Sequence, residues 1–516
     1  MGDQKQTAKV TVFDRFLNAI ERAGNKLPEP TVLFIALAVI VIVLSGILSQ
    51  FNLSVVHPGT GETIEIVNLM SKYGIRMLWS KAVTNFSGFA PLGMVLVTVI
   101  GSAAAEKSGF LIALMKQIMS GAKPALVTFL VIVVGINANL AGDAGFIILP
   151  ALAAVVFLGI GRHPLLGLYT AFAGVAAGFC ANFFLGMSDA LAYGYTEAAA
   201  QMIDPGYQQS PAINWYFLIA STLVIAVTGT VLVEKVLNKR FVVTPAKLAE
   251  WSNVKEDSQL TAIEKKALVR AGIGTLILLA VIILMCIGND PVLADPETKS
   301  LMASNSPFMS GIIITVTLFL FVPGTIYGFA TGKYHKTADL FGDISKGFAE
   351  MGGYVFMCFF IAQFTTLFSW SNLGTVLAIK GAEGLSAMNF TGIPLLIGLI
   401  LVSCIINLFI GSASAKWAIL APVFVPMMMI LGYDPAVTQL AYRIGDSLTN
   451  PLSPLFVYMP IILGFAHKYD KSVGIGTIIA NMIPYSLSFA VFWILQLIIW
   501  ILLNLPLGPG GGIFLS

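Results

Sequence analysis

The chain has 516 residues, 57% hydrophobic and only 11% charged, where a soluble domain carries about 25% charged residues. Its mean hydropathy is +0.87 and its apolar residues come in runs of about 20, enough to cross roughly 30 Å of hydrocarbon, which excludes a soluble enzyme or DNA-binding domain and specifies a membrane protein. The net charge of +3, from 29 Lys and Arg against 26 Asp and Glu, is spread over connecting segments, so no basic stripe points to a nucleic-acid partner.

Residues Val12 to Lys26 mix Phe, Leu, Ile and Ala with Asp14, Arg15, Glu21 and Arg22 at helical spacing, which predicts a short interfacial helix ahead of Pro28 and Pro30. No small-residue cleavage site accompanies an apolar run there, so no removable signal peptide is expected. A first span, Thr31 to Gln50, is followed by a polar stretch with His57-Pro58-Gly59. A second runs from about Gly88 to Ala105, with Lys107, Lys116 and Lys123 after it. Further spans are expected at about Leu165–Asp189, Trp215–Val233, Leu268–Ile287, Phe308–Phe329, Tyr354–Ile379, Ala436–Leu463 and Gly474–Leu503, which makes nine crossings in one membrane domain over residues 1–516. Lys and Arg gather before the first span, in 235–270, in 333–346 and at Lys468 and Lys471, whereas 50–80, 190–214 and 289–306 are poor in them. The positive-inside rule then places the N-terminus in the cytoplasm and the Gly-rich tail from Gly508 outside. Residues 238–264 read as a mixed-charge cytoplasmic linker without a core of its own.

Two apolar regions, 125–159 and 393–429, do not fit simple crossings. The first is interrupted by Ile136-Asn137-Ala138-Asn139-Leu140-Ala141-Gly142-Asp143, the second by Ile406-Asn407-Leu408-Phe409-Ile410-Gly411-Ser412-Ala413-Ser414. Irregular backbone at membrane depth survives only where protein or a wet cavity satisfies it, so both are read as re-entrant hairpins. Ile136-Asn137 parallels Ile406-Asn407 at an offset of 270, Ile148-Leu149-Pro150 parallels Ile419-Leu420-Ala421-Pro422 at 271 to 272, Gly109 matches Gly374 at 265, and Asn182 matches Asn450 at 268. A nearly constant offset is the trace of an internal duplication, with repeat cores at about 88–190 and 354–464. Five expected crossings separate the hairpins, so the repeat is inverted. The expected architecture is an all-α polytopic membrane protein with nine transmembrane helices plus two re-entrant helical hairpins in an inverted repeat. Paired broken segments of this kind point to a secondary transporter's binding site at the midplane.

Charged side chains inside spans cost about 2.5–3.5 kcal/mol each on insertion scales. The few present here, Asp143, Asp189, Lys416, Arg443 and Asp446, therefore need partners or a wet cavity. In the stretch from Tyr442 to Pro454, helical spacing sets Arg443, Asp446 or Ser447, and Asn450 on one face until Pro451 and Pro454 break the helix. This stripe is either a site where Arg443 binds a carboxylate or sulfonyl group and freed carbonyls near Asn450 coordinate a cation, or an internal Arg443–Asp446 pair that joins helices. Residues 173–182, running on to Gly186-Met187-Ser188-Asp189, hold the equivalent place in the first half. A buried carboxyl titrates closer to working pH, which makes Asp189 a candidate proton carrier; the alternative is a helix cap at the outer interface. Ser412, Ser414, Lys416 and Trp417 combine hydroxyls, a cation and an aromatic face suited to an aromatic anion, although Lys416 can also snorkel and Trp417 belt the interface. Asn137, Asn139 and Asn407 either orient hairpin backbone or offer carbonyl ligands to sodium, for which Asn139, Asn182 and Asn450 are the candidate positions. Asp143 meets a cation or water.

Cys180, Cys286, Cys358 and Cys404 sit inside apolar runs and read as small buried hydrophobes. His57, His163, His335 and His467 fall in expected loops and read as surface residues. Glu106-Lys107 closes a span at the interface. No phosphate-binding loop is present, so coupling is expected to an ion gradient, proton or sodium, with no other cofactor.

Several long motifs in order, namely Asn85-Phe86-Ser87-Gly88-Phe89-Ala90-Pro91-Leu92-Gly93, Ala105-Glu106-Lys107-Ser108-Gly109, Gly161-Arg162-His163-Pro164-Leu165, Gly411-Ser412-Ala413-Ser414-Ala415-Lys416-Trp417 and Tyr442-Arg443-Ile444-Gly445-Asp446-Ser447, resemble the p-aminobenzoyl-glutamate transporter (AbgT) family over nearly the whole chain. The resemblance implies a bowl-shaped homodimer in the bacterial inner membrane, with nine transmembrane helices and two opposed hairpins per subunit, within the ion transporter superfamily. It also implies uptake of p-aminobenzoyl-glutamate, or export of p-aminobenzoate and sulfonamides driven by the proton gradient, with sodium bound in some members; direction is left open. The family's functional residues fall on Asp189, Ser414, Trp417, Pro435, Arg443, Asp446 and Pro454. Lys416 stands where some relatives have Gln, and Ala138-Asn139-Leu140 where Ser-Asn-Thr is common in the superfamily.

The function expected from the sequence is secondary transport of p-aminobenzoyl-glutamate and related aromatic anions, with Arg443 and Trp417 holding substrate and Asp189 carrying protons. A sodium-coupled dicarboxylate importer is the alternative within transport. A channel is disfavoured by two symmetric broken sites, and a membrane hydrolase lacks a nucleophile and base.

Overall fold

The computed structural model describes residues 28–51, 53–56, 61–119, 124–141, 143–243, 251, 260–303 and 305–515. The expected interfacial helix, most of the linker, His57 and the side chain of Asp143 lie outside what is described.

The chain is built from helices, with a small antiparallel pair, β1 (Ser54–Val56) and β2 (Thr63–Glu65), in which Val55 faces Ile64. Helix α1 (Pro30–Leu48) opens on a proline, whose missing N–H would have had no helical partner at that position. Ser71 caps α2 (Lys72–Ser87) by accepting from Gly74 N. Then come α3 (Ala90–Lys107), α4 (Phe110–Met119), α5 (Pro124–Asn137), α6 (Asp143–Gly159), α7 (Pro164–Ala176), α8 (Met187–Ala200) and α9 (Trp215–Lys235). After the linker, Thr261 and Glu264 form a capping box on α10 (Ala262–Cys286). The second half holds α11 (Ile312–Ala330), α12 (Thr337–Glu350), α13 (Gly352–Trp370), α14 (Leu373–Ala387), α15 (Gly392–Asn407), α16 (Ala413–Ile430), α17 (Pro435–Thr449), α18 (Met459–His467) and α19 (Ile475–Leu502).

Among the described residues eight helical segments are long and apolar enough to cross a membrane: Pro30–Phe51, Lys72–Lys107, Trp215–Lys239, Ala262–Cys286, Ile312–Ala330, Gly352–Trp370, Ala413–Ile430 and Ile475–Leu502. Three expected crossings are not continuous helices. Leu165–Asp189 is broken between α7 and α8, and Ala436–Leu463 between α17 and α18, because glycines, asparagines and prolines interrupt the backbone ladder there. The expected span Tyr354–Ile379 also stops at Trp370 and restarts at Leu373, across Asn372 at φ +60°. The region 125–159 folds as α5, a short 3-10 turn over Ala138–Ala141, and α6; 393–429 folds as α15, a turn and α16.

Helices α7 and α17 form the centre. Every residue of α7 is buried, as is α17 from Pro435 to Leu448. By contrast only Ala267 and Ala271 of α10 are buried, and most of its Leu, Ile and Val side chains, Val269, Leu276, Ile277 and Leu284 among them, face outward, as a lipid-facing helix requires. The loop before α7 corrects one expectation: His163 is buried, its Nδ1 accepts from Leu165 N at 3.2 Å, and its ring meets Trp251 and Phe241 edge-on. The four cysteines are free thiols, Cys180 and Cys358 buried and the other two half-buried.

The C-terminal tail is not a loose extension. It folds back on the start of α17, where Asp434 N donates to Ile513 O and Leu515 N to Gly432 O, both at 3.0 Å, with Leu507 and Ile513 buried. A Cβ at Gly511 would stand 2.1 Å from Ile213 O, so only glycine permits this approach. Asp434, in the loop between α16 and α17, caps Ala436 N at 2.7 Å, and burial pushes its carboxyl up to about 6. Since the folded value lies above the ordinary value near 3.9, the junction is most stable below about pH 4 and weakens as pH rises through 6. Between pH 4 and 7.5 the loss should be about 2 kcal/mol. The protection factors of the Asp434 and Leu515 amides, that is, exchange corrected for its base-catalysed intrinsic rate, should therefore fall over that window, and Asp434→Asn should flatten the dependence; protection independent of pH in the wild type would count against it.

Candidate functional site

The site grows from the two helix breaks, which meet at the centre. Each break leaves backbone groups without helical partners, and at membrane depth these must be met by protein. The two halves supply one another. Cys180 N donates to Ser447 Oγ at 3.0 Å, Asn450 Nδ2 donates to Ala176 O at 3.2 Å, and Arg443 Nη2 donates to Cys180 O at 3.4 Å. Within the first half, Asn137 Oδ1 accepts from Phe183 N at 2.9 Å and Asn139 Nδ2 donates to Phe179 O at 3.1 Å. In the second half Gly445 lets α17 lie against the backbone of α15, since a Cβ there would stand 2.4 Å from Ile400 O. Asn407 consequently reaches α17, donating to Asp446 O, to Thr449 Oγ1 at 3.0 Å and to Asn450 Oδ1 at 2.9 Å.

The charges do not pair as helical spacing suggested. Arg443 and Asp446 share α17 but each takes another partner. Arg443 Nη1 lies 2.7 Å from Asp189 Oδ1 on α8, with both side chains almost fully enclosed, and Lys416 Nζ lies 2.5 Å from Asp446 Oδ1. Asp189 also accepts from Asn182 Nδ2 at 3.0 Å and from Gly186 N at 2.8 Å. It thus caps α8, but in the protein interior, not at the outer interface. Lys416 and Trp417 are each 1% exposed, so neither snorkels nor belts an interface. Trp417 stacks on Tyr442, centroids 4.4 Å apart at 17°, and its Nε1 lies 2.9 Å from Thr196 Oγ1 and 3.1 Å from Ala192 O.

These residues border a cavity of about 290 Å³. Its polar wall is Ser414, Arg443, Asp446, Asn450, Asn139 and Ser188, and its aromatic walls are Trp417, Tyr442, Phe146, Phe179, Phe456 and Tyr458. Phe146 stacks on Tyr458 at 4.1 Å. One guanidinium among flat rings suits a planar aromatic anion, at the lower end of small-molecule site volumes of about 300–1,000 Å³. A second cavity of about 420 Å³ adjoins through Asn139 and Met187 and runs past Ser102 to Glu106, Lys107 and Glu350. Lys107 bridges Glu106 at 3.2 Å and Glu350 at 2.8 Å.

Pro435 and Pro454 are not among the residues lining the first cavity. Pro435 begins α17 under the C-terminal tail, and Pro454 lies in the break after Leu452. Ser412 caps α16 through Ala415 N at 3.3 Å and lies 3.1 Å from Ser414 Oγ. Of the three candidate sodium ligands, Asn139 and Asn182 keep a buried Oδ1 without a partner, while Asn450 Oδ1 is taken by Asn407. Among the described residues no group of three or more His, Cys, Asp or Glu is placed to hold a metal ion.

A family model described as the AbgT putative transporter family matches residues 15–515. The chain belongs to this AbgT family. It is 38% identical over 493 residues, 95% of each chain, to the p-aminobenzoyl-glutamate transport protein of Escherichia coli (strain K12). The crystal structure of the Alcanivorax borkumensis YdaH transporter superimposes with a TM-score of 0.88, at 38% identity over 93% of this chain and all of that one. Neisseria gonorrhoeae MtrF, whose structure is described as illuminating a class of antimetabolite efflux pumps, gives 0.90 at 39% identity over 96% and 100%. The AbgT chain is accordingly a multi-pass membrane transport protein, not an enzyme.

Sequence reasoning missed several residues of this AbgT site. Gln439 lies one turn before Arg443 on the same face, which extends the polar stripe and was legible. Its Oε1 accepts from Thr196 Oγ1 at 2.6 Å and its Nε2 donates to Asn214 Oδ1 at 2.7 Å. Thr196, Asn214, Phe456 and Tyr458 carried no spacing signal, because they reach the site only through packing.

Proposed function

We propose that this chain is a secondary transporter of p-aminobenzoyl-glutamate and related aromatic anions, p-aminobenzoate and sulfonamides among them, driven by the proton gradient. The observation that carries the reading is Arg443, which borders the aromatic-lined cavity while its guanidinium is paired with Asp189 behind it. An incoming carboxylate or sulfonyl group competes with Asp189 for Arg443. A carboxylate that loses its cation in an enclosed site takes up a proton, so anion and proton move together. The names of the relatives support the substrate class.

In this reading the chain crosses a bacterial inner membrane nine times as a homodimer, N-terminus in the cytoplasm, with 125–159 and 393–429 as re-entrant hairpins of an inverted repeat. The Lys-rich segments support that orientation, and the second cavity then opens towards the cytoplasm. Sodium coupling of a dicarboxylate is the second reading, favoured by the unpartnered Oδ1 atoms of Asn139 and Asn182.

Purified protein in liposomes, given labelled p-aminobenzoyl-glutamate and p-aminobenzoate under separately imposed proton and sodium gradients, tests this directly. Acceleration by the proton gradient alone supports the first reading, and by sodium alone the second. Asp189→Asn should lower proton-driven accumulation at least about tenfold while substrate counterflow persists. An unchanged response to the proton gradient would remove Asp189 from coupling.

A further inference from the structure

The mechanism above leaves one enclosed charge unused. Lys416, on the first turn of α16, places its ammonium between Asp446 Oδ1, at 2.5 Å, and Asn407 Oδ1. All three residues are at most 1% exposed. Asn407 cannot turn its amide round, since its Nδ2 is committed to Asp446 O, Thr449 and Asn450. Its oxygen is therefore fixed towards the ammonium. Asp446 Oδ2 is buried without a hydrogen-bond partner, so the oxygen shell offers more than the lysine uses. Two helix C-terminal ends converge here: Asn407 is the last residue of α15, and Asp446 lies in the last turn of α17. Helix C-termini and freed carbonyls favour a cation.

The first half has no counterpart. At the repeat offset, the positions of Lys416 and Asp446 fall on Phe146 and Gly178, and Phe146 packs on Tyr458. The charged cluster was therefore built in one half only.

We propose that this is an alkali-cation site occupied by the chain's own tethered ammonium. Lys416 takes the place of a sodium ion, so transport by this chain does not require sodium at this position, and removal of the side chain opens a sodium site formed by Asn407 Oδ1 and both oxygens of Asp446. A buried carboxylate without a cation is costly, which sets the direction of the effect. The inference rests on the site geometry and not on the substrate or the driving ion proposed above.

The test uses the full-length protein in detergent, with sodium chloride compared against choline chloride. The difference between the two salts in the wild type sets the baseline. Lys416→Ala should melt lower in choline and gain roughly 3–5 °C more than the wild type does in sodium, and should bind radiolabelled sodium saturably at a site the wild type lacks. Lys416→Ala with Asp446→Asn should show neither effect. In liposomes, sodium should stimulate uptake of whichever anion the wild type carries at least about tenfold more in Lys416→Ala than in the wild type. If Lys416→Ala does not survive extraction, Lys416→Gln gives the same readout. A folded Lys416→Ala that sodium stabilises no more than it does the wild type, or loss of both variants in sodium and choline alike, would each overturn the proposal. Binding and melting are read without substrate, so failure here is distinct from failure of the transport reading.

Discussion

Arg443→Ala is expected to abolish accumulation of the aromatic anion, a fall of at least about 100-fold, and to lower stability by about 3–5 kcal/mol, because it leaves Asp189 enclosed without its cation. The two effects separate. Replacing both partners of a buried pair with apolar side chains of similar size is often neutral for folding, so Arg443→Met combined with Asp189→Leu should recover most of the melting temperature and none of the transport. Arg443→Lys keeps the charge but not the fork that reaches Asp189 and Cys180 O together, and should retain partial stability with substrate affinity reduced at least about tenfold. Melting curves and substrate binding measured on the same preparations decide the matter. Transport regained in the apolar double variant would show that Arg443 serves folding alone.

Trp417 carries the second large expectation. Its ring stacks on Tyr442 and borders the cavity, and its N–H ties α16 to Thr196 and Ala192 on α8. Trp417→Ala removes both, at about 3–5 kcal/mol for a buried aromatic, and should weaken binding of p-aminobenzoate at least about 100-fold. Trp417→Phe preserves a stacked ring, a pair interaction of about 0.5–1.5 kcal/mol, but loses the donor. It should bind within about tenfold of wild type while lowering turnover more than affinity, since α16 is then less firmly joined to α8. Equal losses in the Phe and Ala variants would mean that the hydrogen bond, and not the aromatic face, is what the substrate requires.

Much of this protein was decided by the sequence alone. Membrane character follows from composition, and most span positions follow from run length. The helix interruptions follow from Asn, Gly and Pro in apolar stretches, and Asp189, Lys416, Arg443 and Asp446 stand out as enclosed charges. All these are local properties, set by a residue and its neighbours within a turn or two. What tertiary structure decided was partnership. Spacing placed Arg443 beside Asp446, yet Arg443 pairs with Asp189, 254 residues away, and Asp446 with Lys416. His163 became a buried cap, Trp417 a link between the two halves, and the Gly-rich tail a strap over Asp434. The physical reason is desolvation: an enclosed charge or broken backbone takes whichever counter-group the packing brings within reach, and that distance is set by how the two halves meet, not by the periodicity of any one helix.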